Sequence, residues 1–279
     1  MQQGLTGAGL GKLESDTQLI ELASRYHFSV VDVSAKGLVD RLGTDEALSL
    51  LEERHIRIGA IGLSVEWRKG DREFLEGLAA LPAEAAAAAA LGCTRCCTYI
   101  LPSTDLPAAH FMAQATKRLR LCAEILGAYG IRLGLEFVGP HHLRTQWKHP
   151  FIWTMQETLD WIDAIHAPNV GLLLDAFHWH TNEMEVADIH SLKPEQIVHV
   201  HINDARDVPV QDVLDNDRLY PGEGVIDLTG FLQALDTIGY NGPVTQEILT
   251  AAAPEGSPEE LAAKSRQAFD KVFGAAGLV

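Results

Sequence analysis

VGLLLDAF, residues 170–177, is an almost unbroken apolar run that stops at an acid, Asp175. Runs of this length and composition read as strands buried on both faces, as in parallel sheet covered by helices. The pattern recurs on either side. IRLGLEFV (131–138) carries Glu136, IVHVHIN (197–203) carries His201, and PVTQEIL (243–249) carries Glu247. Each of these runs ends on one side chain of the type that ligates metals. Further upstream, LTGAGLG (5–11), FSVVDVS (28–34), IRIGAIGLSV (56–65) and CCTYIL (96–101) supply four more strand candidates. Helical stretches alternate with the strands near 16–26, 44–54, 75–92, 107–129, 155–166, 185–192, 227–238 and 258–274. Within 75–92 an alanine run favours helix, Pro82 marks a kink or a new first turn, and Gly92 a C-cap.

Eight strand-helix pairs at a period of about 35 residues, undivided by any Pro/Gly/Ser linker, predict an α/β fold with a single (β/α)8 barrel. The expectation is one catalytic domain spanning residues 1–279. A doubly wound open sheet is the competing fold. Against it, no G-x-G-x-x-G turn follows the first strand; Gly7, Gly9 and Gly11 alternate too tightly and read as turn glycines.

The composition supports a large core, with 47% hydrophobic residues in 279. Its formal net charge of −16 would repel a phosphate backbone, which argues against nucleic acid as partner. MQQGLTGAGLG lacks the basic start and apolar stretch of a signal peptide, and no run reaches the ~18 apolar residues of a membrane span. A cytoplasmic protein with no membrane partner is the expectation. Cys93, Cys96 and Cys97 crowd into one strand, where Cys96 and Cys97 must face opposite ways, so they read as free thiols.

Ligands of a barrel gather at the C-terminal ends of its strands. Glu136, Asp175, His201 and Glu247 all lie there, and several carboxylates buried together are costly without a cation. Three carboxylates and an imidazole suit one divalent ion, Mn2+, Mg2+, Co2+ or Zn2+. Such an ion polarises a ketone and stabilises an enediolate, with flanking carboxylates as base and acid. His178, a helical turn beyond Asp175, is a candidate substrate contact or a partner to Asp175. Arg206 is a candidate for holding a substrate oxygen or for pairing with Asp204 or Asp207. His199 shares the face of His201 and borders the site or fills the barrel interior. The segments 139–153 and 207–228 read as walls over the barrel mouth, with Asp227 an N-cap.

EFVG at Glu136, NVGLLLDAFHWH (169–180), HVHINDARD (199–207), RLYPGEGVIDL (218–228) and GYNGPVTQEI (239–248) together resemble the sugar isomerase/epimerase family with the xylose-isomerase-like barrel, above all its inosose (2-keto-myo-inositol) isomerases. The resemblance covers residues 130–250 well; the first half matches only as a strand-helix pattern. It implies that Glu136, Asp175, His201 and Glu247 are metal ligands, that His178 and Arg206 contact substrate, and that Glu136 and Glu247 form the acid/base pair of the related ketohexose epimerases. It is compatible with a homo-oligomer, a dimer or tetramer. His142 stands where those epimerases carry a further glutamate, which weakens a ketohexose reading. The expected activity is a divalent-metal-dependent isomerase or epimerase of a sugar or cyclic polyol ketone. A dehydratase of the inosose or 3-dehydroshikimate type competes with it. A nuclease acting at abasic DNA and a non-catalytic carbohydrate-binding barrel are more distant alternatives.

Overall fold

The computed structural model describes residues 1–278. Its strands are β1 (Gln2–Leu5), β2 (Val30–Val31), β3 (Arg57–Ile58), β4 (Ile61–Gly62), β5 (Arg95–Ile100), β6 (Ser103–Thr104), β7 (Arg132–Phe137), β8 (His149–Pro150), β9 (Val170–Asp175), β10 (Ile197–Ile202) and β11 (Pro243–Gln246). One parallel sheet runs β3-β2-β1-β11-β10-β9-β7-β5-β4. Its two end strands are separated in the chain only by Gly59 and Ala60, with β3 paired to β2 and β4 to β5. The sheet therefore closes through the segment 57–62 into an eight-fold barrel, as the repeating pattern predicts.

The helices are α1 (Asp16–Arg25), α2 (Ala35–Leu42), α3 (Thr44–Arg54), α4 (Asp71–Ala90), α5 (Ala108–Ala128), α6 (His141–Arg144), α7 (Met155–Ile165), α8 (Ala176–Thr181), α9 (Val186–His190), α10 (Leu228–Thr237) and α11 (Pro258–Ala276). Their starts follow local chemistry. The Ser15 side chain accepts from Gln18 N ahead of α1. Thr154 with Glu157, and Ser257 with Glu260, form capping boxes ahead of α7 and α11. Each box satisfies two backbone donors that have no intrahelical partner.

Three local expectations change. The first strand ends at Leu5, because Gly9 and Gly11 take φ of +85° and +68°, which no strand continues; they are turn glycines, as expected. Pro82 sits inside an uninterrupted α4, where the alanines around it carry the helix past the one missing hydrogen bond. The two-turn α2, begun by Ser34 accepting from Gly37 N, occupies a stretch whose period is too short to read from sequence. No helix among the described residues is long and apolar enough to cross a membrane.

Two walls rise above the mouth. The segment 139–153 is pinned by the antiparallel pair β6-β8 and by Arg144, which donates to the carbonyls of Gly139 and Thr181. Phe151 from this wall packs 4.8 Å from Phe111 and 5.4 Å from Trp161, so part of its aromatic content belongs to the core. In the segment 207–228, Asp227 caps α10 by accepting from Gly230 N, as its position predicts.

Candidate metal centre

Because side chains alternate across a strand, His199 and His201 both point into the barrel from β10, one layer apart. The sheet register sets His201 opposite Asp175 on one side and Thr245 on the other, and Glu136 opposite Leu173. Glu247 follows the last residue of β11 and its backbone N–H donates to Ile202 O. The four predicted ligands thus converge: one donor atom from each of Glu136, Asp175, His201 and Glu247 lies within 4.8 Å of all the others.

His201 is the hub. Its Nδ1 is 3.7 Å from Glu136 Oε1 and 3.5 Å from Glu247 Oε2, and its Nε2 is 3.5 Å from Asp32 Oδ2. Burial disfavours the imidazolium, but Glu247, Asp32 and Glu136 outweigh it and raise the pKa well above the usual histidine value. The carboxylates part ways. Burial, reinforced by the charges of Glu247 and Asp175, pushes Glu136 up. Burial would raise Glu247 too, but His201 and Arg218 bring it down to about 2.

Arg218 enters from the 207–228 wall. Its Nη1 donates to Asp175 Oδ2 at 2.8 Å and to Glu247 Oε2 at 3.0 Å, and its Nη2 to Asp215 Oδ1 at 2.8 Å. The guanidinium also lies over the Phe177 ring, 4.6 Å from its centre. Asp175 has two further donors on Oδ1, the Phe177 backbone N–H at 2.7 Å and Asn203 Nδ2 at 2.9 Å. The first of these makes Asp175 the N-cap of α8, which in turn carries His178.

His178 is buried, and its Nδ1 accepts from Gly139 N at 3.3 Å. Its Nε2 lies 3.4 Å from Arg218 Nη2 and 3.8 Å from Glu136 Oε1, so the ring is held between the arginine and the ligand set. Arg206, by contrast, lies away from this group: it is exposed and forms a bidentate pair with Asp217, at 2.6 and 2.8 Å. Neither Asp204 nor Asp207 is its partner. The arginine that meets the ligand set is Arg218.

Beneath His201 lies a layer the strand-end reading left out. Asp32, just past β2, accepts from Thr245 Oγ1 at 2.7 Å and pairs with His199 Nε2 at 2.8 Å. Burial opposes its ionisation, but His199 and His201 hold its pKa below the usual carboxylate range. It can turn inward because a Cβ on Gly59 would stand 2.6 Å from its Oδ1. The signal for Asp32 was present, since FSVVDVS also ends an apolar run on an acid. Arg218 had no such signal, because it sits on a loop.

The group tests well as a cation site. Glu136 Oε1 and His201 Nδ1 are buried and lack any hydrogen-bond partner, and both face the centre of the cluster. Leaving such atoms unpaired is expensive, and a cation shared among them removes the cost. Three oxygens and a nitrogen form a donor set for a divalent ion of hard to intermediate character. Asp32 behind His201 completes the carboxylate–histidine arrangement that orients ligand imidazoles. A cavity of about 240 Å3 opens onto Glu136, His201 and Glu247, lined also by Asp32, Cys97 and Tyr99.

The Cys96 and Cys97 thiols are free, and so are those of Cys93 and Cys122. Cys96 is buried behind the sheet while Cys97 lines the mouth, so the two do face opposite ways.

Comparison with known proteins agrees with this geometry. Residues 20–272 match the family described as the xylose isomerase-like TIM barrel. Inosose isomerase of Bacillus velezensis is 31% identical over 152 residues, 54% of this chain and 51% of that protein. The chain thus spans about half the length of such curated relatives. A 3-dehydroshikimate dehydratase of Pseudomonas putida is 31% identical over 134 residues, 47% of this chain and 20% of that one. Among solved structures, a xylose isomerase domain protein from Alicyclobacillus acidocaldarius superposes with a TM-score of 0.91 at 34% identity, covering 99% of each chain. A closed barrel, candidate ligands converging at the ends of its late strands and a family match along nearly the whole length lead to one assignment: the chain belongs to the xylose isomerase-like TIM barrel family.

Proposed function

We propose that the chain is a single-domain, divalent-metal-dependent enzyme that isomerises or epimerises a small polyol ketone, a sugar or an inosose, by proton transfer. The observation that carries this reading is the convergence of Glu136, Asp175, His201 and Glu247 on one point with two buried atoms unpartnered. These four residues would hold the ion. When bound, it would supply Lewis acidity, polarising a carbonyl and lowering the acidity barrier of the adjacent carbon.

The protein's own groups do the rest. Glu136 and Glu247 come from different strands and flank His201 at similar distances, so a substrate seated over the centre meets a carboxylate on each side. One takes the carbon-bound proton and the other returns it. His178, whose Nε2 stands between Glu136 and Arg218, is placed to hydrogen-bond a substrate oxygen. Arg218 fixes Asp175 and Glu247 and adds positive charge where negative charge develops on oxygen. Asp32 holds His201 so that Nδ1 faces the ligand oxygens.

Likeness to inosose isomerase and to 3-dehydroshikimate dehydratase supports two outcomes of the same proton abstraction. Return of the proton gives isomerisation, whereas departure of a β-hydroxyl gives dehydration. We favour isomerisation, because the inosose isomerase alignment is the longer of the two. Metal-loaded protein incubated with inososes and ketoses in heavy water, followed by proton NMR, tests it. Solvent deuterium entering a shifted or epimerised product is expected. Growth of an enone ultraviolet band with loss of water would replace isomerase by dehydratase, and no exchange with any of these ketones would overturn the reading.

A further inference from the structure

The mouth is not the only cavity at this end of the barrel. Next to it lies a second one of about 250 Å3, whose lining includes Arg68, Leu101, Ser103, Asp105, Phe111 and Trp147. Arg68 comes from the segment that follows β4. Its guanidinium carbon lies 4.8 Å from the centre of the Trp67 ring and 4.0 Å from that of Tyr99, and Nη1 donates to Tyr99 O at 2.6 Å. The side chain is therefore held flat and in place.

It has no counter-ion. Arg68 enters no ion pair among the described residues; the nearby Glu66 is 3.2 Å from Lys69. Burial depresses its pKa more than Tyr99 and Glu66 raise it. Other polar groups of the lining are already engaged. The Ser103 hydroxyl donates to Leu143 O and accepts from Trp147 N, and Thr104 Oγ1 accepts from Leu106 N. Asp105 is exposed at the rim. The free N–H groups of Arg68 are thus the strongest donors the cavity offers.

Tyr99 connects the two cavities. It lines the mouth with Glu136, His201 and Glu247, and it is the register partner of Glu136 across β5 and β7. Arg68 stands on the ring of Tyr99, so one side-chain thickness separates the guanidinium from the metal centre's wall.

We propose that Arg68 recognises a carboxylate on the substrate, so that the enzyme acts on a polyol ketone bearing an acid group. This rests on the reading of the metal centre given above. With Nη1 spent on Tyr99, the fork keeps donors for one planar two-oxygen group, and no second cation lines the cavity among the described residues to hold a phosphate dianion. In a chain of net charge −16, an acidic substrate also needs a local cation on its way in.

Calorimetric titration of the metal-loaded full chain with quinate, myo-inositol and myo-inositol 1-phosphate tests this. Quinate should bind at least about tenfold more tightly than inositol, as expected for a charge-assisted contact. Arg68→Met, which keeps the stem over both rings, should erase that preference, and Arg68→Lys should keep only part of it. Affinity for the metal alone should stay unchanged in both variants. Equal binding of quinate and inositol, absent quinate binding, a preference that survives Arg68→Met, or tightest binding of the phosphate would each overturn the proposal. A protein that takes up no metal would instead remove the reading of the centre itself.

Discussion

Arg218→Met separates the role of the guanidinium from that of the ion, because both address the same two carboxylates. In the metal-free protein, Arg218 and Asp175 have side chains only 1% and 0% exposed, with Nη1 2.8 Å from Oδ2. Removing one partner of such a pair leaves a buried charge uncompensated, which costs about 3–5 kcal/mol. Asp175 keeps the Phe177 N–H and Asn203 on its other oxygen, so the low end, about 3 kcal/mol, is the expectation. With a divalent ion bound, Asp175 and Glu247 still face a cation, and the loss should shrink to about 1 kcal/mol. The two legs close a thermodynamic cycle: the difference of about 2 kcal/mol must reappear as metal binding about 30-fold tighter in the variant. Urea unfolding in chelator and in saturating metal gives one side of the cycle, and direct metal titration gives the other. A stability loss equal with and without metal, together with unchanged affinity, would refute the claim that guanidinium and ion share these oxygens.

Other consequences follow from the same geometry. Asp32→Asn should weaken metal binding by about 10–100-fold while the barrel's far-ultraviolet spectrum is kept, since Asp32 orients His201 from behind; unchanged affinity would contradict that role. His178→Ala should lower turnover and leave metal stoichiometry at one, and loss of metal would make it a ligand instead. His201 is an imidazolium in the metal-free protein because its pKa is raised, so it contributes stability that is full below the unfolded value of about 6.5 and fades as pH climbs through the raised folded value. A ligand imidazole must be neutral, so metal uptake near pH 7 should release about one proton, measured in weakly buffered solution. Uptake without proton release would show that His201 is neutral beforehand.

The barrel and the convergence of Glu136, Asp175, His201 and Glu247 were legible because both depend on a short-range pattern. An apolar run buried on both faces admits few polar side chains, so Glu136, Asp175 and His201 stand out near the ends of theirs, and the closure of the sheet brings them together. Glu247, one residue past β11, obeys the same rule. Asp32 obeys it too, but the two-residue β2 gives so little paired strand that the run around it reads weakly. The Arg206 and Arg218 pair shows where the pattern stops. Arg206 immediately precedes the 207–228 wall and Arg218 lies within it, both in acid-rich surroundings, and sequence offers no period to say which turns inward. Tertiary geometry decides: Arg206 finds Asp217 at the surface, while Arg218 reaches Asp175.

What turns Arg218 inward is a second buried carboxylate. Asp204, three residues beyond His201, accepts four backbone N–H groups: those of Ala205 and Ile226 on Oδ1, and of Gly222 and Gly224 on Oδ2, all at 2.9 Å. Its own backbone exchanges two 2.9 Å hydrogen bonds with Leu219, the residue after Arg218. Gly224 is required there, since a Cβ would stand 2.0 Å from Ala205 O. Arg218 N then donates to Leu249 O, two residues from Glu247, at 3.0 Å. The arginine is thereby clamped between the ends of β10 and β11, the same two strands that deliver His201 and Glu247. A loop would ordinarily give a loose and variable cation. Here the satisfied carboxylate ties residues 218–226 to the barrel, and Asp215, which accepts from Arg218, and Asp217, bridged to Thr250, extend the clamp to the end of 207–217. The charge balance of the centre is therefore carried by the stretch 215–226 of this wall, from the Asp215 carboxylate that pairs with Arg218 to the turn that Asp204 holds.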